Sequence, residues 1–404
     1  MKVNRRKFIQ STGVLGTSVL VPGFLAQLTN CTPPPSARVA REINKLVVIQ
    51  LSGGNDGLNS VIPYQNDLYY SNRPKIAIQK NKVLVASDDY GFSPQLTSLK
   101  RLYDEGLLSV INGIGYPNPD RSHFRAMDIW HTAGDANHHK NTGWIGRYLD
   151  AKCVEQFSPH EAVEMSNLLS RVMKGERGNG LALTDPFNYD KTIPELVNRR
   201  WVNETSGSVD NSNLGFLYKT AQNGYASLDY LKSLSKLYTS SADYPSTVLG
   251  NELKSVGQLI NAGSTSSVYY VSHTGFDTHA NQAGSIRWPL KVFNDGIDSF
   301  VKDLKSTGAL DSTLILVFSE FGRRVEENAS GGTDHGTANC VFLIGNQLNR
   351  AGIYNDIPDL SNLENGDLKY SIDFRQVYAT ILDKWLKVDS EVVLKKKFEH
   401  LSFI

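Results

Sequence analysis

The sequence predicts an α/β fold built around a mostly parallel β-sheet. Three apolar segments without polar alternation, at residues 45–51, 107–114 and 313–318, are typical of strands buried on both faces. Between them lie helical patterns, such as residues 247–260, in which apolar residues recur at intervals of three and four. Polar residues follow several of the strands directly. In an open α/β sheet, ligands bind beyond the carboxyl ends of the strands, so these positions are the first place to look for function.

The composition indicates an ordinary globular protein with many loops. The 404 residues suit one large α/β domain with insertions, or two domains. Lys and Arg total 42 against 41 acidic residues, so no basic surface indicates nucleic-acid binding and no acidic excess indicates disorder. We expect a single domain over residues 45–404, with helical insertions at about 153–261.

Residues 1–31 are typical of an export signal. Arg5 and Arg6 form a twin-arginine motif, and the modestly apolar segment 11–28 contains no charged residue. The twin-arginine translocon is therefore an expected partner, and we expect a periplasmic or cell-surface location. A membrane anchor is the less favoured alternative, because Gly, Ser, Thr, Pro and Gln dilute the apolar segment. The Pro-rich stretch 32–44 is a linker.

The three cysteines leave the processing of the signal open. Cys31 follows Leu-Thr-Asn, which is similar to a lipoprotein motif, so lipid attachment at Cys31 is an alternative to ordinary cleavage. Membrane association is expected only if that attachment occurs. Cys153 and Cys340 are too far apart in sequence to establish a disulfide. Because Cys340 begins an apolar stretch, we expect it to be a buried, inert thiol.

The first strand leads into Ser-Gly-Gly-Asn-Asp-Gly-Leu-Asn at residues 52–59. Its glycines allow a tight turn that would place Asp56 just beyond the carboxyl end of the strand. The spacing matches neither the dinucleotide-binding glycine motif nor a P-loop, so nucleotide binding is not supported.

Ser122 follows the 107–114 strand and two prolines, a position that favours the N-cap of a helix. At a helix N-terminus the dipole stabilises an alkoxide or a bound anion, so Ser122 is a candidate nucleophile. Arg121 and Arg125 have the fork geometry that suits phosphate or sulfate. A purely structural capping role for Ser122 is an equally favoured alternative.

Two further strands also run into chemically reactive residues. After the β-rich segment 268–271 come Asp277 and His279, two residues apart, a compact pair for a divalent metal. The strand at 313–318 is followed by Ser319, Glu320 and Arg323, and a Gly-rich loop then supplies Asp334 and His335. Each motif alone is consistent with an ordinary turn. Together the strand ends form one convergent set, which a single structural histidine does not explain.

At the level of whole motifs, the chain resembles an exported family named domain of unknown function 1501, over essentially Lys45 to the C-terminus. The resemblance rests on residues 52–59, 121–124, 144–147, 275–279, 319–323, 332–336 and 373–378. That family is in turn distantly similar to the alkaline phosphatase and sulfatase superfamily. The resemblance implies an alkaline-phosphatase-like three-layer sandwich around a mostly parallel sheet, with metal-dependent hydrolysis as its chemistry.

Carried over to this sequence, the superfamily resemblance implies Ser122 as the nucleophile and a set of metal ligands. One metal site would use Asp277, His279 and His335 from adjacent loops, with Asp334 beside them. Another would use Asp56 and Glu320 with Ser122. Phe321 stands where the superfamily has a histidine.

The sequence therefore favours a hydrolase of phosphate or sulfate esters, small or polymer-borne, acting outside the cytoplasm. Zinc suits His and Asp ligands best, although manganese or calcium would tolerate an oxygen-rich set. Arg121, Arg125 or Arg323 would hold the anionic oxygens of the ester. The alternative is a surface-anchored binding protein that has kept the fold with a degenerate site, and Phe321 favours that reading.

Overall fold

The computed structural model describes residues 43–152, 158–187 and 213–404, and its centre is a nine-stranded sheet. Eight strands follow the spatial order β11-β5-β10-β9-β1-β8-β6-β7, and β12 pairs with β5. They are β1 (Lys45–Ser52), β5 (Leu108–Gly115), β6 (Ala162–Met165), β7 (Leu181–Leu183), β8 (Val268–Thr274), β9 (Thr313–Phe318), β10 (Asn339–Ile344), β11 (Gly352–Ile353) and β12 (Ile372–Asp373). The short strands β2 (Val61–Ile62), β3 (Leu84–Val85) and β4 (Gly91–Phe92) form a separate small sheet.

The sheet is mostly parallel, as the sequence predicts. Strand β1 lies between β8 and β9 and pairs in parallel with both. Strand β10 runs antiparallel to its neighbours β5 and β9. Seven of the eight residues of β1 and all six of β9 are buried, which accounts for their continuous apolar sequences. Because β1, β8 and β9 run in the same direction, the loops after them emerge at one edge of the sheet.

Helices cover both faces of the sheet and give the three layers expected. Along β1, Val47 and Ile49 pack into one core, whereas Leu46 and Val48 pack into the core on the opposite face. The first core is covered by α3 (Thr97–Asp104), α6 (Asn213–Leu234), α7 (Val248–Asn261) and α9 (Arg287–Thr307). The second is covered by α4 (His123–Thr132), α5 (Trp144–Lys152), α10 (Phe374–Thr380), a π-helical turn at Ile381–Trp385 and α11 (Ser390–Leu394).

Three short helices complete the chain around the strand ends. They are α1 (Gly57–Ser60), α2 (Asp67–Asn72) and α8 (Gln282–Ser285). Single 3-10 turns lie at Lys80–Lys82, Pro159–Glu161, Arg171–Met173 and Ala309–Ser312. A third apolar cluster, including Leu58, Tyr69 and Val325, packs beside the small sheet. It holds the loop after β9 against the helices that follow β1.

The structure describes Cys340 but not the export signal. Cys340 is buried and forms no disulfide within the described residues, and burial raises its pKa to about 12, as expected for an inert cysteine. The export signal, most of the linker and Cys153 lie outside the described residues. In the part of the chain that the structure covers, no helix is both long and apolar enough to cross a membrane.

Candidate functional site

Four elements bring chemically reactive side chains to one edge of the main sheet. The loops after β1, β8 and β9 begin at Gly53, Gly275 and Ser319, and the N-terminus of α4 lies beside them. Gly53 has a φ of 119°, and a Cβ placed on it would lie 2.5 Å from the backbone nitrogen of Asp277. Only glycine therefore lets the β1 and β8 loops approach each other this closely.

His123, the first residue of α4, contributes an imidazole whose orientation is fixed by a hydrogen bond between its Nδ1 and Glu320. Its Nδ1 lies 2.8 Å from Oε1 of Glu320, a fully buried carboxylate that also accepts a hydrogen bond from the backbone of Gly53. The hydrogen bond to Glu320 raises the pKa of His123. The other nitrogen, Nε2, is buried and makes no hydrogen bond, and it lies 3.4 Å from Oδ2 of Asp277. An imidazole held in this way presents a free nitrogen to a ligand.

His335 and His279 approach the same carboxylate from the Gly-rich loop and the β8 loop. His335 Nε2 lies 3.3 Å from Oδ1 of Asp277, and His279 Nε2 lies 3.1 Å from the same oxygen. The His335 Nδ1 donates to the backbone carbonyl of Arg121 at 2.7 Å, so its Nε2 is the acceptor of the neutral ring. The two Nε2 atoms are 2.9 Å apart. Burial lowers the pKa of His335, which favours the neutral, metal-binding form.

Asp277 is the centre of the cluster. Burial alone raises its pKa, but the hydrogen bond from Arg323 and the neighbouring imidazoles outweigh that effect and bring the value to about 2. The side chain of Asp277 is half exposed, and Arg323 Nη2 donates to its Oδ1 at 2.8 Å. Asp277 is therefore ionised across the physiological pH range and presents a negative charge between three imidazoles.

The geometry of this cluster fits a metal ion. One ligand atom each from His123, Asp277 and His335 lie within 4.8 Å of one another. Tetrahedral ligands at about 2.0–2.2 Å from zinc are about 3.4 Å apart. His123 Nε2 lies 3.4 Å from Oδ2 of Asp277, and His335 Nε2 lies 3.3 Å from Oδ1, so each imidazole is at about that distance from one of the two carboxylate oxygens. The buried Nε2 of His123, which has no hydrogen-bond partner, is the clearest sign that a ligand belongs here.

Ser122 directly precedes His123 of this cluster. It is the N-cap of α4, as its sequence position predicts, and its side chain makes no capping hydrogen bond. The residue is exposed, and its backbone N–H donates to Oδ1 of Asp120 at 2.7 Å. Because its hydroxyl does not cap the helix, that hydroxyl is available at the helix N-terminus.

The three arginines expected to bind the ester are engaged with the protein. Arg323 is buried and donates to the carbonyls of Gly54 and Thr333 as well as to Asp277. Arg121 pairs with Asp367, and Arg125 pairs with Asp128 and donates to backbone carbonyls of the 135–138 loop. Their guanidinium groups therefore organise loops in this structure.

Asp56 and Asp334 lie at the margins of the cluster. Oδ2 of Asp56 binds Arg73 at 2.6 Å and also accepts from Gln282, whereas its Oδ1 is buried without a partner. Among the described residues, neither Ser122 nor Glu320 forms a hydrogen bond with the Asp56 side chain. Asp334 is exposed and accepts from Asn328 at 3.1 Å and from His279 Nδ1 at 3.2 Å.

Sequence reasoning missed His123 as a candidate ligand. The sequence did contain a signal, because a histidine directly after an N-cap serine projects from the first turn of a helix toward the same sheet edge. It also missed the role of Phe321. The Phe321 ring packs against both His123 and His335, with centroid distances of 4.8 and 4.7 Å.

Residues 259–397 match the model of a family described as "Protein of unknown function (DUF1501)". The resemblance predicted from the motifs is confirmed over this segment. The DUF1501 segment includes β8, β9 and the loops that carry Asp277, Glu320 and His335, whereas Ser122 and His123 precede it. A search of curated proteins found no match.

Solved structures align with the chain at low identity. The C-terminal periplasmic domain of EcEptC from Escherichia coli is 12% identical with a TM-score of 0.40, covering 89% of this chain and 88% of its own. The PsFucS1 sulfatase from Pseudoalteromonas sp. is 12% identical with a TM-score of 0.39, covering 91% and 75%. An alkaline phosphatase superfamily protein from Vibrio parahaemolyticus is 11% identical with a TM-score of 0.37, covering 98% and 80%.

Proposed function

We propose that this protein is an exported, metal-dependent hydrolase of phosphate or sulfate esters. The observation that carries the proposal is the group formed by His123, Asp277 and His335, whose ligand atoms converge, together with the exposed Ser122 directly before His123 in the chain. Two imidazoles and a carboxylate at this spacing suit a divalent cation, and a neighbouring hydroxyl supplies the nucleophile.

Three residues of the chain are proposed as the ligands, with His279 as an additional donor. Their nitrogen-rich composition favours zinc over manganese or calcium. Glu320 orients His123, and the carbonyl of Arg121 orients His335, so both rings direct Nε2 toward Asp277. The bound cation would polarise the ester and lower the pKa of a nearby hydroxyl.

Ser122 is proposed to attack the phosphorus or sulfur atom of the ester. The Ser122 hydroxyl gives up its proton to solvent as its oxygen bonds to phosphorus or sulfur, and the bond to the ester oxygen breaks, so that this oxygen takes a proton from solvent and leaves as the alcohol. A water molecule then attacks the same phosphorus or sulfur atom, the bond to the serine oxygen breaks, and a proton from the water returns to the serine. The N-terminus of the ten-residue helix α4 favours negative charge at this position. Arg323 holds Asp277 in place, and the half-exposed Arg121 is paired with Asp367, so we assign both arginines a positioning role.

Export through the twin-arginine translocon to the periplasm or cell surface, with optional lipid attachment at Cys31, is part of the same proposal. The anionic ester is the expected partner in that compartment, and no nucleic acid is expected. Replacing Arg5 and Arg6 by lysine should leave the protein in the cytoplasm after cell fractionation, and unchanged export would contradict this route.

Ser122→Ala is the test of the catalytic mechanism. Its turnover of 4-nitrophenyl phosphate and 4-nitrophenyl sulfate should fall at least about a thousandfold below that of the zinc-loaded wild type, with metal content unchanged. Ser330→Ala removes an exposed serine from the neighbouring loop and should leave the rate intact. Full activity in the Ser122 variant would remove the serine from its proposed role.

The non-catalytic binding protein remains a second candidate, because the three arginines expected to bind the ester are occupied within the protein. A binder with a degenerate site has no need of metal. Metal analysis of the purified protein separates the two readings, because the hydrolase requires a bound cation whereas the binder would be folded without one.

A further inference from the structure

A cavity of about 280 Å³ lies beside the histidine cluster, and the proposed mechanism does not use it. One wall is the segment 115–119 that leaves β5, and another is the turn at 364–370. Phe321, Thr337 and Ala338 close a third side. The volume is near the lower end of the range for small-ligand pockets, about 300–1,000 Å³, and so fits one small ring.

The cavity is connected to the candidate site through Phe321. This ring packs against His123 and His335 and also lines the cavity, so the two spaces lie on either side of one aromatic residue. The chain that forms the first wall continues directly into Ser122, and Thr337 follows His335 by two residues. The cavity and Ser122 are therefore close neighbours along the chain, and Phe321 is the residue that the cavity shares with the two imidazoles.

The lining of the cavity combines one exposed aromatic side chain with paired polar groups. Tyr370 is 39% exposed, whereas Tyr116 is buried and its ring packs against Phe374. Glu364 and Lys369 place opposite charges on the same wall, and Lys369 Nζ donates to Oδ1 of Asn362 at 2.6 Å. These opposite charges favour neither an anion nor a cation. An uncharged ring with many hydroxyl groups would stack its C–H face on Tyr370 and hydrogen-bond to the polar groups.

The turn at 364–370, which forms this wall, is joined by ion pairs to the loops around the candidate site. Asn365 and Gly366 have φ values of 55° and 85°, which the sequence Asn-Gly adopts readily at a turn. Next to them Asp367 is buried and binds Arg121 and Arg324, so the wall is tied to the loop of Ser122 and to the loop after β9. At Gly115 a Cβ would lie 2.6 Å from the Cβ of Tyr370. Any residue larger than glycine would therefore clash with this tyrosine where it packs on β5. The cavity is therefore held in shape.

We propose that this cavity binds the alcohol part of the ester as an uncharged, polyhydroxylated ring of about one monosaccharide. The inference rests on the proposed hydrolase function for its link to Ser122, but binding of the ring itself does not require metal or turnover. The proposal thereby names the substrate class as esters carried on a sugar.

Saturation-transfer NMR on the full chain tests this directly, with the methyl glycosides of glucose, galactose, mannose and fucose as probes. At least one glycoside should bind the wild type. Tyr370→Ala should weaken that binding about three- to tenfold, as expected for the loss of one ring stack. Lys369→Ala, at an exposed position, should also weaken it, and Trp288→Ala removes an exposed aromatic elsewhere and should have no effect.

The same probes distinguish failure of this inference from failure of the proposed function. Asp277→Asn should abolish ester hydrolysis and leave glycoside binding unchanged. If the wild type is inactive but its glycoside binding depends on Tyr370 and Lys369, the cavity is supported and the hydrolase is overturned. Binding to none of the four glycosides, or binding unaffected by both variants, overturns the cavity proposal.

Discussion

The chemistry of the candidate centre depends on which nitrogen each histidine presents. The Glu320 carboxylate fixes Nδ1 of His123, and the Arg121 carbonyl fixes Nδ1 of His335. Both rings therefore present Nε2 to Asp277. If these histidines served only for packing, we would expect the buried Nε2 of His123 to have a hydrogen-bond partner. Among the described residues it has none.

We expect His123→Ala to reduce zinc affinity more than Glu320→Gln does. Removing His123 deletes a ligand, whereas the Glu320 change only weakens its orientation, and such outer contacts are worth about 10–100-fold in affinity. Competition with a fluorescent zinc chelator measures both. His139→Ala removes an exposed histidine outside the cluster and should bind as the wild type does. Equal affinities in all four proteins would show that His123 is no ligand.

A second residue-scale prediction concerns pH. Glu164 on β6 is buried, and burial raises its pKa from 4.5 to about 7, although a hydrogen bond from the backbone N–H of Ser170 opposes this. A carboxyl with a raised folded-state pKa destabilises the fold once it ionises. The wild type should therefore lose about 3 kcal/mol of unfolding free energy, relative to Glu164→Gln, as the pH rises from 4.5 to 7.

Urea unfolding at pH 4.5, 6 and 8 measures this difference. The gap between Glu164→Gln and the wild type should widen with pH and level off above pH 7. Glu161→Gln changes a neighbouring, more exposed carboxylate and should give no comparable trend. If the Glu164 variant and the wild type show the same pH dependence, the carboxyl ionises freely in the folded protein.

At the scale of elements, one buried arginine joins the loops around the site. Arg73, just after α2, binds Asp56 at the end of β1 and donates to the carbonyls of Arg324 and Val325 in the loop after β9. It is completely buried. The loops of two central strands are thus held together by a side chain that lies outside both.

Arg73→Met should destabilise the fold by about 3–5 kcal/mol, because it leaves the Asp56 carboxylate buried without its charged partner. Chemical denaturation measures the loss. Arg101→Met, which breaks surface pairs with Glu105 and Asp298, is the matched control and should cost at most about 1 kcal/mol. A similar small cost for Arg73 would mean that Asp56 is held by other contacts.

The elements themselves were largely predictable. The segments 45–51, 107–114 and 313–318 emerged as β1, β5 and β9 because strands buried on both faces have continuous apolar sequences. The N-cap position of Ser122 followed from the prolines before it. The partners of Asp56, Arg121 and Arg323 did not follow, because they come from residues distant in sequence, such as Arg73 and Asp367, whose positions depend on the packing of the whole chain.

At the scale of the molecule, the fold brings together residues from three separate segments. The ligands proposed here come from α4 and from the loops after β8 and β9, positions spread over more than 200 residues of the sequence. The parallel arrangement of β1, β8 and β9 makes their loops emerge together at one edge of the sheet. The helices pack on the two faces of the sheet. A cation bound at this place would link these loops and should stabilise the native state.

Metal content of the purified full-length protein is the most direct test of this account. Zinc-loaded and dialysed wild type should retain about one metal ion per chain, and a chelator should lower its melting temperature. His123→Ala and Asp277→Asn should lose the metal while remaining folded by circular dichroism. A wild type that is fully folded, free of metal and unable to bind added zinc would contradict the proposed centre.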